Sequence, residues 1–147
     1  MRSIIGIDLG GTNIVAGCIR EDGNALYALM SEPTRAEEGA DAVVNRIVNL
    51  ARRSMAAAKK EVPGLEVIGI GIGAPGPLDI HKGIVLLTPN LGWVNMPLRQ
   101  RVGDAVGLPA ALDNDANCAV LGEWWRGAAR NTRMALGLTI GTGIGGG

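Results

Sequence analysis

Cysteine is scarce, charge is balanced and no long apolar run occurs, and each shortage closes off a class of protein. Two cysteines, Cys18 and Cys118, in 147 residues are too few for a disulfide framework. They fit a reducing, cytoplasmic setting and read as small core residues. Lys plus Arg and Asp plus Glu number 14 each, for a formal net charge of zero. A nucleic-acid footprint needs a cationic excess or stripe, so no nucleic-acid partner is expected. No stretch approaches the roughly 18 apolar residues of a membrane span. Met1-Arg2 leads straight into strand-like sequence, without a charged-then-apolar secretory leader. No membrane partner is therefore expected. The single histidine, His81, has no second ligand at metal spacing and reads as a loop residue. A Gly-Lys-Ser/Thr sequence, which a Walker A loop requires, is also lacking.

Glycine is abundant. It accounts for 23 of 147 residues, about twice the usual share of ~7%. The glycines gather at residues 6–11, 69–76 and 137–147, each time beside an apolar, β-branched run. After a strand, glycine permits positive φ and close backbone approach, so these clusters read as ligand-binding turns.

The length suits one domain with a proper core and is too short for two full ones. Residues 3–9, 13–20 and 25–31 read as three strands, the last two joined by the hairpin turn Glu21-Asp22-Gly23-Asn24. Val44, Ile47, Val48, Ala51 and Met55 recur at helical spacing and predict an amphipathic helix over 40–60. Residues 65–72 form a near-continuous apolar run, as in a central strand covered on both faces. Residues 80–96 look irregular apart from a short strand at 84–87. A helix is predicted over 98–106, a strand over 110–113, a helix over 114–126 and a final strand over 134–140. Three antiparallel strands followed by crossovers imply an α/β fold: a mixed five-stranded sheet with helices on both faces. The sequence stops inside its last glycine loop, which suggests a piece of a larger protein. An unpaired edge on the final strand would favour a homo-oligomer.

Four motifs carry chemistry. Asp8, Gly10, Gly11 and Thr12 lie between two strands, where successive backbone N–H groups can face a phosphate and Asp8 can hold Mg²⁺. The plainer alternative is a hairpin whose Asp caps the turn. Gly141, Thr142 and Gly143 belong to a second strand-to-glycine loop. It fits Gly-x-Gly-x-x-Gly, but no following helix or acidic residue supports a dinucleotide site. Two such loops suit the two sides of one polyphosphate. Asp113, Asn114 and Asp115 stand at a strand-to-helix junction. Asn114 or Asp113 can cap the helix, and Asp115 can accept a proton from a substrate hydroxyl. Asn90 lies in the irregular stretch before Trp93; turn chemistry is the ordinary reading, and Trp93 reads as core or lid packing. Of Trp124 and Trp125, one is expected to pack and one to be partly exposed.

Together these segments resemble the ROK sugar kinases of the actin-like ATPase (ribonuclease H-like) superfamily. The resemblance covers residues 6–17, 73–79, 88–98, 113–127 and 139–147, in the family's order. It implies an N-terminal domain over 1–130, and over 131–147 the first strand and phosphate loop of a truncated second domain. It further implies ATP and Mg²⁺ as cofactors, held at Asp8, Gly10, Gly11, Thr12, Gly141, Thr142 and Gly143. Asp115 matches the general base for a hexose 6-hydroxyl, and Asn90, Asn114 and Asp115 match sugar-binding positions. Glucose is the first choice of hexose; N-acetylated hexosamines, mannose and fructose stay open. The family's zinc site belongs to a second domain with no counterpart in these residues, and the isolated chain is expected to be inactive. A sugar-responsive regulatory domain without turnover is the alternative.

Overall fold

The computed structural model describes residues 1–140 and 144–147. Strands β1 (Arg2–Leu9), β2 (Asn13–Arg20) and β3 (Leu26–Pro33) form the antiparallel half of a sheet. Helix α1 (Ala40–Glu61) then returns the chain to β4 (Glu66–Ala74), which lies parallel to β1. After α2 (Leu98–Val106), β8 (Ala110–Asn114) adds parallel to β4. The sheet order is β3-β2-β1-β4-β8, the mixed five-stranded sheet that the sequence predicts.

Side chains alternate across each strand, and the register sorts them into two faces. Ile5, Ile7 and Leu9 of β1 stand beside Cys18, Ala16 and Ile14 of β2, and beside Ile70 and Ile72 of β4. This face is buried against Val43, Ile47, Leu50 and Ala51 of α1 and Leu98 and Val102 of α2. The opposite face carries Ile4, Gly6 and Asp8 of β1 beside Ile19, Gly17 and Val15 of β2, with Gly71 and Gly73 on β4. Helix α3 (Asp115–Arg126) lies there, and a Cβ on Gly73 would stand 3.5 Å from the Cys118 sulfur. A cavity of about 640 Å³ remains between α3 and the sheet, bounded by Ile4, Ile19, Leu121 and Trp125.

Four expectations need correction. Gly6, Gly71 and Gly73 lie inside strands rather than in turns, where they thin the α3 face. The stretch 80–96 is not irregular: β5 (Leu78–Asp79), β6 (Ile84–Thr88) and β7 (Trp93–Met96) form a second, antiparallel sheet. Val85 and Trp93 anchor it to the core, at 0% and 1% exposure. The final strand is shorter than 134–140. β9 (Leu138–Ile140) pairs with β10 (Ile144–Gly146) as a separate hairpin, so its edge is met within the chain. Trp124 and Trp125 are both about half exposed, at 48% and 43%, so neither is the packed member of a pair. No helix among the described residues is long and apolar enough to cross a membrane.

Candidate functional site

Parallel strands bring their carboxyl ends to one edge, and there the polar residues collect. Asp8 of β1 is in register with Gly73 of β4, and Gly73 with Asp113 of β8. Ligands of open α/β sheets bind beyond such strand ends. Beyond Asp8 the chain turns through Gly10, Gly11 and Thr12 into β2. The Gly10 N–H donates to the Asn13 carbonyl at 2.9 Å. A Cβ on Gly10 would lie 2.8 Å from that same oxygen, so the turn excludes any larger residue. The N–H groups of Gly11 and Thr12 donate to no partner among the described residues. Both residues are exposed.

Asn90 reaches this turn from the connection between β6 and β7. A Cβ on Gly11 would stand 3.7 Å from Asn90 Cβ and 3.9 Å from its Nδ2. The structure thus brings a predicted sugar residue and the predicted phosphate turn side by side, although 79 positions separate them in the numbering (90 − 11).

β8 runs into α3 without a loop. Asn114 caps the helix, its Oδ1 accepting from the N–H groups of Ala116 at 2.9 Å and Asn117 at 3.3 Å. The cap occupies that oxygen and leaves Nδ2 for a ligand. Asp115 Oδ1 also accepts from the Ala116 N–H, at 2.8 Å. Asp113 Oδ1 accepts from the Asn114 N–H at 2.7 Å and from Asn117 Nδ2 at 3.0 Å. Asp115 is exposed and lies close enough to Asp8 to repel its charge. The Asp8 carboxyl is held above its usual value, first by desolvation against the strand ends and second by Asp115.

Cys118 is the site neighbour that sequence reasoning placed only in the core. Its thiol is pushed up by burial and then by Asp113, Asp115 and Asp8, in that order. Three carboxylates therefore lie near enough to disfavour the thiolate of Cys118, one helical turn below Asp115. The signal was present, since residues i and i+3 share a helix face. Cys18 is buried in the core, and both cysteines are free.

The predicted second loop residues Gly141, Thr142 and Gly143 lie outside the described residues. Their flanks are described. Gly137 and Gly147 exchange backbone hydrogen bonds of 3.0 and 3.1 Å. A Cβ on Gly145 would stand 3.7 Å from Ala116 Cβ. β10 therefore rests on the first turn of α3, beside Asp115. No cluster of three or more His, Cys, Asp or Glu able to hold a metal occurs among the described residues.

The model of the ROK family matches residues 4–147. This chain belongs to the ROK family. The glucokinase of Thermotoga maritima is 42% identical over 145 residues, an alignment covering 98% of this chain and 43% of that relative. Among solved structures, the ROK hexokinase from Thermus thermophilus superposes with a TM-score of 0.84 at 40% identity. The match covers 99% of this chain and 46% of that one. A ROK glucokinase from Streptomyces griseus, solved with glucose and AMPPNP, gives 0.83 at 36% identity, covering 98% and 43%. This ROK-family chain thus spans less than half the length of these relatives. The five-stranded α/β architecture is that of the ROK sugar kinases, the actin-like fold expected from the sequence.

Proposed function

We propose that this chain is the phosphate- and sugar-binding half of an ATP-dependent ROK hexose kinase, which phosphorylates the sugar 6-hydroxyl, with glucose as the first candidate. One observation carries the reading. Asp8 with the Gly10-Gly11-Thr12 turn, Asn90 and Asp115 come from three separate segments and converge at one edge of the sheet. The similarity to a glucokinase solved with glucose and AMPPNP supports it.

In this reading Asp115 orients and deprotonates the hydroxyl, while Asn90 and the Nδ2 of Asn114 hydrogen-bond neighbouring sugar oxygens. The unpartnered Gly11 and Thr12 N–H groups receive phosphate oxygens. Gly141, Thr142 and Gly143 complete the nucleotide side. Asp8 and its repulsive neighbour Asp115 leave local negative charge that a cation offsets, so Asp8 fits Mg²⁺ carried in with ATP. Mg²⁺ typically takes one or two carboxylates plus substrate phosphates, consistent with the lack of a larger donor cluster among the described residues. When bound it would neutralise charge developing on the phosphoryl oxygens. Zinc finds no such donor set among the described residues. The two free cysteines accord with a cytoplasmic setting.

We place residues 131–147 at the start of a second unit. Met134, Leu136, Leu138, Ile140 and Ile144 are exposed and add nothing to the core. The same apolar side chains support the expected self-association.

A coupled assay with Mg-ATP and a hexose panel, on this chain and on the full-length protein, tests the function. Sugar-dependent ADP release from the full-length protein is expected. Asp115→Asn should lower kcat by on the order of 10²–10⁴-fold while sugar binding stays measurable. Near-normal turnover in that variant would remove Asp115 from its role. Sugar binding by the full-length wild type with no turnover would favour the regulatory reading.

A further inference from the structure

We infer that Thr34 is a positioning residue that sets the direction of the phosphate-turn amides. The inference rests on the reading that this turn receives phosphate. Thr34 follows β3 directly and is 0% exposed. Its hydroxyl donates to the Gly10 carbonyl at 2.7 Å. Its own N–H donates to the Thr12 carbonyl at 2.8 Å. One buried residue thus holds two of the three carbonyls of the Gly10-Gly11-Thr12 turn.

Peptide geometry turns this contact into an orientation. In a planar trans peptide, the carbonyl of one residue and the N–H of the next point in opposite directions. Drawing the Gly10 carbonyl toward buried Thr34 therefore sends the Gly11 N–H the other way, outward from the core. That N–H is one of the two without a partner among the described residues.

Thr34 is itself held. Its carbonyl accepts from Arg46 Nη1 of α1, and Arg46 is paired with Glu38. The chain Glu38–Arg46–Thr34–Gly10 ties the turn to the long helix behind the sheet. A turn fixed before the ligand arrives loses little further freedom on binding, which is how preorganisation raises affinity.

Thr34→Val keeps the branched shape and the backbone N–H but removes the hydroxyl donor; Thr34→Ser keeps the donor. The full chain, labelled with ¹⁵N, is titrated with inorganic tripolyphosphate and Mg²⁺ while the Gly11 and Thr12 amides are followed. We expect both amides to shift in the wild type. Affinity should fall about tenfold in Thr34→Val, the order of one lost hydrogen bond, and return to within about twofold in Thr34→Ser. A folded Thr34→Val that binds as tightly as wild type overturns the inference. So does a Thr34→Ser variant as weak as Thr34→Val, because packing would then be the cause. Hexose turnover by the full-length protein separates this role from the proposed function. Tripolyphosphate binding at these amides with no hexose phosphorylation by the full-length protein overturns the kinase reading and leaves the positioning role. Phosphorylation with silent amides does the reverse.

Discussion

The two faces of the five-stranded sheet follow opposite designs. Toward α1 and α2, the strands present Ile5, Ile7, Leu9, Ile14, Ile70 and Ile72, all buried at 4% exposure or less. Toward α3 they present Gly6, Gly17, Gly71 and Gly73, with a cavity of about 640 Å³ above Gly6, Gly71 and Gly73. The first face supplies stability through apolar area removed from water. The second supplies little of it, yet carries Asp8 and Asp113 at its strand ends and Asp115 and Cys118 on the helix above. Stability and chemistry are divided between faces of the same strands, one residue apart.

The largest test of this division is on the packed face. Ile7→Ala should destabilise the fold by about 2–5 kcal/mol, read as a lower denaturant midpoint. On the opposite face, a Cβ added to Gly71 meets nothing within 4 Å. Gly71→Ala should therefore stabilise by up to about 1 kcal/mol, mainly by stiffening the unfolded chain. A loss comparable to that of Ile7→Ala would show that the glycine face is as tightly packed as the other, and would break the comparison.

The smallest effect is electrostatic and sharpens the division instead. The Asp8 carboxyl is raised in the folded state by desolvation and then by Asp115, so the folded chain favours its protonated form. That stabilising contribution is complete below the ordinary carboxylate range near ~3.9 and is lost as pH rises through the raised folded value. At neutral pH Asp8 therefore weakens the fold. Asp8→Asn should raise Tm slightly at neutral pH, with the gain shrinking as the solution is acidified toward that range, while nucleotide-dependent activity falls. A Tm difference independent of pH would remove the electrostatic explanation.

Much of this was legible in the sequence because it is local. Alternation in β1 and β2, the glycine turn between them, the helical spacing of Val44 to Met55 and the Asn114 cap all follow from short-range rules. What was missed depends on distant partners. The β5–β7 sheet hides in a stretch dense in Pro, Asn and Gly, with positive φ at Gly92 (64°), before β7, and at Asn95 (51°), inside it. Its cross-strand pairing and the burial of Val85 and Trp93 against the core distinguish it from a loop. The strand glycines were misread because glycine marks a turn or a thinned sheet face equally well, and register alone decides which. The proximity of Asn90 to Gly11 and the carboxylates around Cys118 arise from chain crossings that no local pattern encodes.

The seam between β8 and α3 has a consequence for how such chains can vary in length. Asn114 ends the strand and Asp115 begins the helix, so no spare residue lies between them to absorb an insertion. Each residue of an α-helix advances the rotation by about 100°. Adding one residue inside the first turn would leave the cap in place but swing every later side chain, Cys118 and Leu121 included, about a quarter-turn around the axis. The helix would then face the sheet with the wrong stripe. Length changes should be tolerated in the exposed Glu21–Asn24 hairpin turn and rejected at this seam, which works as a fixed phase mark for everything downstream.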